Sequence, residues 1–504
     1  MIPLYTTRQV RAMDERAYAA GVPEAALMER AAGHLARAIL DTGGHGYGLQ
    51  VAILCGKGNN GGDGLAAARR MLDAGAYPSV MLVEGAGTVR GLVAEQLRRW
   101  RGSGGRLADR VEDALAGADV AVDCLLGTGA AGAPRPPYDA AIAALDAFDG
   151  PVVACDLPSG VDADTGDVPA VAVHADVTVT LGAHKRGLML WPARGHAGRL
   201  VLGDLDIITA EDHQVATVLE PEDAASLLPV PRPDAEKRTR GVVVALAGSP
   251  GMAGAAIMVA RGAMAAGAGL VTVATGDPDL LTAAVPEALT ARVALEDPDE
   301  AFRAVASRLE YADALAIGPG LGHDEPVAAL VRRLVREVEV PIVLDADGLN
   351  VFRHAGDALA DHAASLLALT PHARELARLV GPAAGQDAWN QRVELVPEKA
   401  KAWNAVIVAK GPGSMIAAPD GRVWVNPTGS SALASGGTGD VLTGITATLV
   451  AQRPEPESVA AAVYLHGAAG THASTRLGSR SVAALDVAAA VPDALRDLPR
   501  ARRA

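Results

Sequence analysis

Aromatic residues, cysteines and long apolar runs are all scarce in this chain of 504 residues. Aromatic side chains make up only 3% of a sequence that is 50% hydrophobic, so we expect cores built from alanine, valine and leucine. The cysteines are Cys55, Cys124 and Cys155, with no CxxC or Cys/His metal spacing. This scarcity excludes a disulfide framework and favours a reducing, cytoplasmic compartment.

Positive charge is also in short supply, and the formal net charge is −14. Such an acidic chain is not typical of a nucleic-acid or membrane-surface binder, so we expect neither partner. The longest uncharged run, residues 241–260, is broken by glycines and by Pro250 and does not predict a membrane span. A phosphorylated small ligand stays compatible with the charge, because helix dipoles hold phosphate locally.

Apolar strands alternate with helical patterns in both halves, which predicts parallel sheets covered by helices on both faces. A chain of this length is expected to form at least two domains. Residues 205–240 are rich in proline and charge, as is typical of a boundary. We therefore expect domains at residues 1–213 and 237–504, joined by a semi-extended linker at residues 214–236.

Three polar loops follow predicted strands in the first half. They are residues 56–64 (GKGNNGGDG), Asp123 with residues 127–133, and residues 156–160 (DLPSG). Ligands of such sheets bind at the carboxyl ends of the strands. Amide, carboxylate and hydroxyl oxygens are hard ligands, suited to an alkali or alkaline-earth cation. Asp63 or Asp123 alone would fit a turn or cap better, but three such loops together favour a ligand site.

The second half places its glycine-rich loops at strand ends in the same way. Residues 436–440 (GGTGD) run into a helical pattern, so their backbone N–H groups lie at a helix N-terminus that suits phosphate. Asp440 lies in the first turn, where it could act on a substrate proton or serve as a plain N-terminal carboxylate. His372 follows Thr370-Pro371 at another strand end, and its contact with a ligand is equally open. His466 is expected to be a satisfied helix residue.

Taken together, these motifs resemble the bifunctional NAD(P)H-hydrate repair enzymes, with residues 182–185 (GAHK), 318–322 (GPGLG) and 410–411 adding to the match. The resemblance implies an N-terminal Rossmann-like doubly wound sheet of the YjeF N-terminal type and a C-terminal ribokinase-like α/β domain. It implies epimerisation of R- and S-NAD(P)HX in the first domain. In the second, ADP would drive dehydration of the S epimer to NAD(P)H. A homo-oligomer is also implied.

Carried over by position, the resemblance assigns two groups of residues in the first half. Asp156 is the implied acid/base of the epimerisation, and K⁺ would be held by Asn60, Asp123 and Ser159. Contacts with the hydrated dinucleotide are implied for Asn59, Asn60, Gly61, Gly62, Asp63, Gly127, Thr128, Gly129, Ala130, Ala131, Gly132, Ala133 and Asp156.

In the second half the resemblance implies that Asp440 is the catalytic base and that Mg²⁺ accompanies the nucleotide. The hydrated cofactor would contact Ala255, Gly320, His372 and Asp440. The adenine nucleotide would lie among Lys410, Gly411, Pro412, Gly413, Ser414 and Gly439.

The chain departs from the family pattern after Thr428-Gly429, where Ser430-Ser431-Ala432 stands in place of the usual Asn-Pro-Gly. Before the second domain, Glu236-Lys237 replaces a frequent His-Lys. An alternative function is an ATP-dependent ribokinase-like kinase of a small molecule, with a first half that serves only as a nucleotide-binding sensor. A kinase would release a stable phosphorylated alcohol, which distinguishes it from a dehydratase.

Overall fold

The computed structural model describes residues 1–209, 212–230, 233–381 and 388–499. They divide into two compact units, Pro3–Ala216 and Thr217–Ala504, and Met1–Ile2 belong with the second. Pro231 and Arg232, inside the expected linker, lie outside the described residues. No helix among the described residues is long and apolar enough to cross a membrane.

The first unit is a six-stranded sheet whose order is β3-β2-β4-β5-β6-β7, with every neighbouring pair parallel. Its elements, with the first strand that precedes them, are β1 (Ile2–Leu4), α1 (Thr7–Ala19), α2 (Glu24–Gly43), β2 (Gln50–Cys55), α3 (Asn59–Asp73), β3 (Tyr77–Leu82), α4 (Gly91–Gly102), α5 (Val111–Leu115), β4 (Val120–Cys124), α6 (Tyr138–Asp146), β5 (Val152–Cys155), β6 (Val177–Leu181), a 3-10 helix (Arg186–Met189), α7 (Ala193–His196) and β7 (Arg199–Gly203).

The central strands form because they are short, continuous apolar runs that a sheet covered on both faces can bury. Strands β4 and β5 are buried along their whole length. Helix α2 packs Leu35 and Ile39 into the same core as Ile53 and Val122. The helical pattern of residues 7–40 is two helices rather than one, because Gly21 has φ of 91° and Pro23 is the N-cap of α2.

The second unit is a larger sheet that runs in the order β8-β17-β16-β15-β14-β13-β12-β9-β10-β11. Its elements are β8 (Ala216–Val218), α8 (Pro221–Leu227), a 3-10 helix (Arg238–Arg240), β9 (Val242–Leu246), α9 (Ala253–Ala265), β10 (Leu270–Thr275), α10 (Pro278–Ala284), β11 (Leu289–Arg292), α11 (Pro298–Leu309), β12 (Ala314–Ile317), α12 (Glu325–Glu337), β13 (Ile342–Leu344), α13 (Asp347–Asn350), a 3-10 helix (Gly356–Asp361), β14 (Leu367–Leu369), α14 (Ala373–Val380), α15 (Arg392–Ala402), β15 (Val406–Ala409), β16 (Met415–Ala417), β17 (Val423–Val425), a 3-10 helix (Ser431–Leu433), α16 (Thr438–Gln452), α17 (Pro456–Leu477) and α18 (Ala484–Asp497).

The stretch expected to be an extended linker carries β8 and α8 instead. Strand β8 pairs in parallel with β17, so that Thr217 lies opposite Trp424. Helix α8 begins with Pro221 in its first turn and a capping box between Glu220 and Asp223. The prolines of this stretch therefore start a helix as well as stiffen the chain.

Register brings the ends of neighbouring parallel strands to one edge of each sheet. Cys55 at the end of β2 pairs with Cys124 at the end of β4, and Ile317 of β12 pairs with Leu344 of β13. Both units are therefore α/β with mainly parallel sheets, as predicted. The exception is the hairpin β16–β17, which is antiparallel and which the Asp420-Gly421 turn signal indicates.

Candidate functional site

The glycine-rich segment after β2 is the beginning of a helix rather than a free loop. Helix α3 starts at Asn59, with Gly58 as its N-cap. A Cβ on Gly61 would lie 1.9 Å from the carbonyl oxygen of Gly56, so only glycine lets the helix start this close to the strand. Asn60 and Asp63, three residues apart, share one face of the helix, and both line the same cavity.

An oxygen-rich cluster joins α3 to the ends of β4 and β5. The Oδ2 of Asp123 accepts from the Ser159 backbone N–H (2.7 Å), and its Oδ1 accepts from the Ser159 hydroxyl (2.6 Å). The Asn60 Nδ2 donates to the Leu126 carbonyl at 3.0 Å. The buried Oδ1 of Asn60 has no hydrogen-bond partner within the part of the chain that the structure describes.

Burial raises the pKa of Asp123 to about 6, against the lowering effect of the donors from Ser159 and Leu125. Across the described residues no group of three or more His, Cys, Asp and Glu side chains could hold a metal. The cluster instead offers one carboxylate together with amide and hydroxyl oxygens. This donor set fits a weakly charged, oxygen-loving cation, and the unpartnered Asn60 Oδ1 leaves a lone pair for it.

Asp156 forms an ion pair with a buried lysine that was not singled out from the sequence. The Lys185 ammonium is 1% exposed and donates to the Asp156 Oδ1 at 2.5 Å and to the Leu181 carbonyl at 2.6 Å. The Leu181 N–H donates to the same Oδ1 at 3.2 Å. Asp156 has φ of 68°, which turns its carboxylate back over the sheet edge. Its Oδ2 lies 3.8 Å from the Cβ position of Gly127.

These side chains open onto one cavity of about 650 Å³ within the first unit. Of the predicted substrate contacts, those lining it are Asn59, Asn60, Asp63, Gly127, Thr128, Gly129, Ala130 and Asp156. The remaining ones lie elsewhere: Ala131 and Gly132 line a small adjacent recess, Gly62 lies against Met28, Gly61 lies against Gly56, and Ala133 is exposed.

Two further carboxyls of this cavity are held close to neutrality or above it. Burial raises the pKa of Asp63 well above its usual range, and the nearby Asp156 and Asp14 add to the shift. Burial likewise raises the pKa of Asp14 to about 6, although the Lys185 charge opposes this. Sequence reasoning missed Asp14 because it sits inside an ordinary helical pattern, with no motif around it.

In the second unit a buried carboxylate connects two of the predicted loops. The Lys410 ammonium donates to the Asp345 Oδ1 at 2.6 Å, and the Thr443 hydroxyl donates to its Oδ2 at 2.7 Å. Asp345 is 1% exposed and ends β13, whereas Thr443 lies one turn inside α16. Asp345 therefore fixes the Lys410 amine against the N-terminus of α16. Sequence reasoning gave Asp345 and Thr443 no role.

The GGTGD motif starts α16 as expected. Gly437 is the N-cap with φ of 88°, and a Cβ there would lie 2.2 Å from the Met258 sulfur. The Cβ position of Gly439 is 3.4 Å from the Lys410 Nζ, so the amine lies directly beside the helix N-terminus. Burial, followed by the charge of Asp345, raises the pKa of Asp440 to about 7, while Lys410 opposes the shift.

His372 has a structural role that the sequence did not indicate. Its ring Nδ1 accepts from the backbone N–H groups of Arg374 and Glu375, while the Glu375 carboxylate accepts from the His372 backbone N–H. This is a capping box at the start of α14. The ring is half exposed, and only its Nε2 edge is available to a ligand.

The other predicted contacts lie around the same sheet edge. The Cβ position of Gly320 is 2.8 Å from the Ala255 Cβ, so these two residues meet. The Lys410 backbone N–H donates to the Pro371 carbonyl, which places the 410–414 turn beside His372. Within that turn the Ser414 hydroxyl donates to the Gly411 carbonyl, across Pro412 and Gly413.

His466 lies fully buried on α17 near this edge. Burial lowers the pKa of His466 to about 4, so its ring is neutral at physiological pH. One ring nitrogen bonds to the Thr438 backbone, but Nε2 has no partner among the described residues. The expectation of a satisfied helix residue therefore holds for one nitrogen only.

Two α/β units, each with catalytic-type carboxylates and a lysine at the carboxyl edge of its sheet, define a two-domain enzyme of small phosphorylated or dinucleotide ligands. The sequence family described as YjeF-related protein N-terminus matches residues 24–187, and the family described as NAD(P)H-hydrate dehydratase matches residues 243–493.

Full-length relatives carry both units. A bifunctional NAD(P)H-hydrate repair enzyme of Moorella thermoacetica is 39% identical over 89% of this chain and 88% of its own length. The one of Salinibacter ruber is 37% identical over 94% of this chain and 92% of its own. A solved ADP/ATP-dependent NAD(P)H-hydrate dehydratase of Bacillus subtilis, co-crystallised with ATP/Mg²⁺, aligns with 56% of this chain and 99% of its own, at 31% identity and a TM-score of 0.48. The chain belongs to the bifunctional NAD(P)H-hydrate repair enzymes, which confirms the resemblance, the fold class and the enzyme class expected from its motifs.

Proposed function

We propose that the first unit interconverts R- and S-NAD(P)HX and that the second dehydrates the S epimer to NAD(P)H at the expense of ADP. The carrying observation is that the two family matches fall on two units that each hold their own strand-end carboxylate and lysine. We place the epimerase in residues 1–213 and the dehydratase in residues 237–504. Free, buried cysteines support a cytoplasmic location, and a homo-oligomer is part of the proposal.

For the epimerase, we propose that the cavity walls hold the hydrated dinucleotide and that Asp156 accepts and returns a substrate proton. Support comes from its geometry, since Oδ1 is fixed by Lys185 and the Leu181 N–H, whereas Oδ2 faces the Gly127 loop. A carboxylate fixed through one oxygen keeps the other in place for proton transfer. The Lys185 charge favours the ionised form that a base requires.

We propose K⁺ for the oxygen cluster of Asn60, Asp123 and Ser159. The supporting observation is the buried Asn60 Oδ1, which no described donor satisfies. A bound cation would supply charge compensation for Asp123 and rigidity where the loop after β4 meets the cavity. The residues themselves already orient each other, because Ser159 donates to Asp123 and its hydroxyl also accepts from the Leu126 N–H.

The K⁺ proposal predicts a saturable rise in the thermal unfolding temperature when KCl replaces choline chloride at constant ionic strength. Binding to the folded state alone stabilises by about 2.7 kcal/mol at 100 times Kd. Asn60→Ala should abolish the rise, whereas Asn59→Ala should keep it, because the Asn59 amide donates to Glu24 outside the cluster. An equal rise in Asn60→Ala would contradict the site.

For the dehydratase, we propose that the adenine nucleotide lies along the turn of residues 410–414 and against Gly439. Phosphate oxygens there would meet the free N–H groups of α16 and the Lys410 ammonium, which support developing negative charge. Mg²⁺ with the nucleotide would supply further charge neutralisation. Phosphorylation turns the ring hydroxyl into a leaving group, and Asp440 takes the proton in the elimination.

The proposed function is tested by incubating a mixture of R- and S-NADHX with the protein and following the absorbance of NADH. With ADP, we expect complete recovery of NADH together with AMP and orthophosphate; without ADP, we expect none. Recovery that stops when the S epimer is consumed would show that the first unit is only a sensor. Release of a stable phosphorylated alcohol would favour the kinase alternative.

A further inference from the structure

Asp14 faces the epimerase cavity from a wall that no motif marks. It lies on α1, whose residues Val10, Arg11, Asp14 and Tyr18 line the cavity. The cavity also contains the Asp156–Lys185 ion pair and Asp63. No described residue donates a hydrogen bond to the Asp14 carboxyl, which leaves both of its oxygens available to a ligand.

The chain holds α1 firmly against the segment that carries Lys185. Tyr5 pairs with that segment in parallel, since its N–H donates to the His184 carbonyl and its carbonyl accepts from the Arg186 N–H. The helix then begins with a capping box between Thr6 and Gln9. Asp14 and Lys185 are therefore fixed relative to each other by backbone hydrogen bonds, as a pair of reacting groups requires.

The Thr7 contacts strengthen this anchoring. Its backbone N–H and its hydroxyl both donate to the Asp164 carboxylate, each at 2.7 Å. Val10 and Met13 are buried beneath the helix, so the intermediate positions point to the cavity side. An acidic side chain half buried at such a place, with no partner in the protein, costs stability unless it serves a ligand.

Resting on the proposed epimerase function, the chemistry calls for two proton-transfer groups. Hydration of the dihydronicotinamide enamine leaves a hydroxyl on a carbon bonded to the ring nitrogen. Inverting that carbon means that the hydroxyl leaves one face and water returns to the other. An acid must protonate the departing hydroxyl and a base must deprotonate the arriving water. Asp156, held by Lys185, supplies only the base.

We propose that Asp14 is the second catalytic residue of the epimerase, the acid that protonates the ring hydroxyl. The carbon–oxygen bond then breaks, the nitrogen lone pair forms a carbon–nitrogen double bond, and water departs. Water adds to the opposite face of the same carbon and passes its proton to Asp156. Asp14 has lost one proton and Asp156 has gained one, so exchange with solvent through the cavity resets the pair and the overall reaction is balanced.

The charges around Asp14 suit this role. Burial, the carboxylate of Asp156 and the nearby Glu24 and Glu15 raise the pKa of Asp14 to about 6, while Lys185 opposes them. Asp14 therefore exchanges its proton close to neutral pH, which is where an acid catalyst is most effective. Asp63 on α3 also faces the cavity, but full burial raises its pKa well above that range, so it is suited to donate a hydrogen bond rather than to cycle.

The test is Asp14→Asn, with the exposed neighbour Glu15→Gln on the same helix as its control. Conversion of purified R-NADHX to the S epimer is measured by chromatography without ADP. We expect kcat to fall by about 10²–10⁴-fold with KM changed by less than about three-fold, and Glu15→Gln to match the wild type. The fall in rate above pH 6 that Asp14 causes in the wild type should also disappear.

ADP-dependent dehydration of S-NADHX separates this proposal from the proposed function. It should be unchanged in Asp14→Asn, and a wild type without any epimerisation would reject the epimerase function itself. Wild-type kcat in Asp14→Asn, or a change confined to KM, would overturn the catalytic role of Asp14. If Asp14→Asn lowers the melting temperature, Asp14→Glu decides, because it should recover at least about a tenth of the wild-type rate. Failure of a folded Asp14→Glu to exceed the uncatalysed rate would overturn the proposal.

Discussion

Replacing Asp440 by asparagine is expected to slow ADP-dependent dehydration of S-NADHX by about 10²–10⁴-fold, because the amide cannot accept the substrate proton. The fold should tolerate the change. Asp440 has a pKa of about 7, so roughly half of the molecules already carry a neutral group there at neutral pH. Epimerisation of R-NADHX, measured without ADP, should keep the wild-type rate.

The pH dependence gives this prediction a sign. A base acts in its ionised form, so wild-type kcat/KM for dehydration should rise with pH and level off above about 7. In Asp440→Asn the residual rate should lose this acid limb. Asp347→Asn should move the limb to lower pH, because the Asp347 charge is one of those that raise the pKa of Asp440.

The matched control for Asp440 is Asp279→Asn. Asp279 is also an acidic residue in the first turn of a helix, α10, but its side chain is 90% exposed and it pairs only with Arg292 on the surface. Its removal should leave dehydration unchanged. Equal activity of Asp440→Asn and the wild type at pH 8 would contradict the assignment of Asp440 as the base.

Local sequence patterns were sufficient for the backbone of both sites. The strands at 50–55, 314–317 and 406–409 lie where their apolar runs predict them. The GGTGD segment starts α16, because Gly437 supplies a left-handed N-cap and Val441 and Ile445 follow at helical spacing. Glycine and apolar periodicity act within a few residues, so they can be recognised without knowledge of the rest of the chain.

The side chains that complete the sites were not predictable in the same way. Asp14 and Lys185 are 171 positions apart, and Asp345 and Thr443 meet across 98 positions. Their partners depend on strand order and helix packing, which no local pattern encodes. His372 illustrates the opposite error. Its Pro-His turn resembles a ligand loop, whereas the ring nitrogen caps α14, a role that histidine seldom takes.

Replacing Asp156 by asparagine is the second change with a large expected effect. We expect R/S interconversion to fall by about 10²–10⁴-fold, because the base is lost. Asparagine adopts the φ of 68° found here at little cost, which makes it a better replacement than alanine. The variant also leaves Lys185, which is 1% exposed, without its anion, and an uncompensated buried charge costs about 3–5 kcal/mol.

A second substitution separates chemistry from stability. Lys185→Met added to Asp156→Asn removes the buried charge and keeps the volume of the aliphatic stem, so the melting temperature should return toward that of the wild type. Epimerisation should stay as low as in Asp156→Asn, and dehydration of S-NADHX should be normal in both variants. Recovery of interconversion together with stability in the double variant would mean that Asp156 only balances the charge of Lys185. Epimerisation absent from a stable double variant means that the Asp156 carboxylate itself moves the proton.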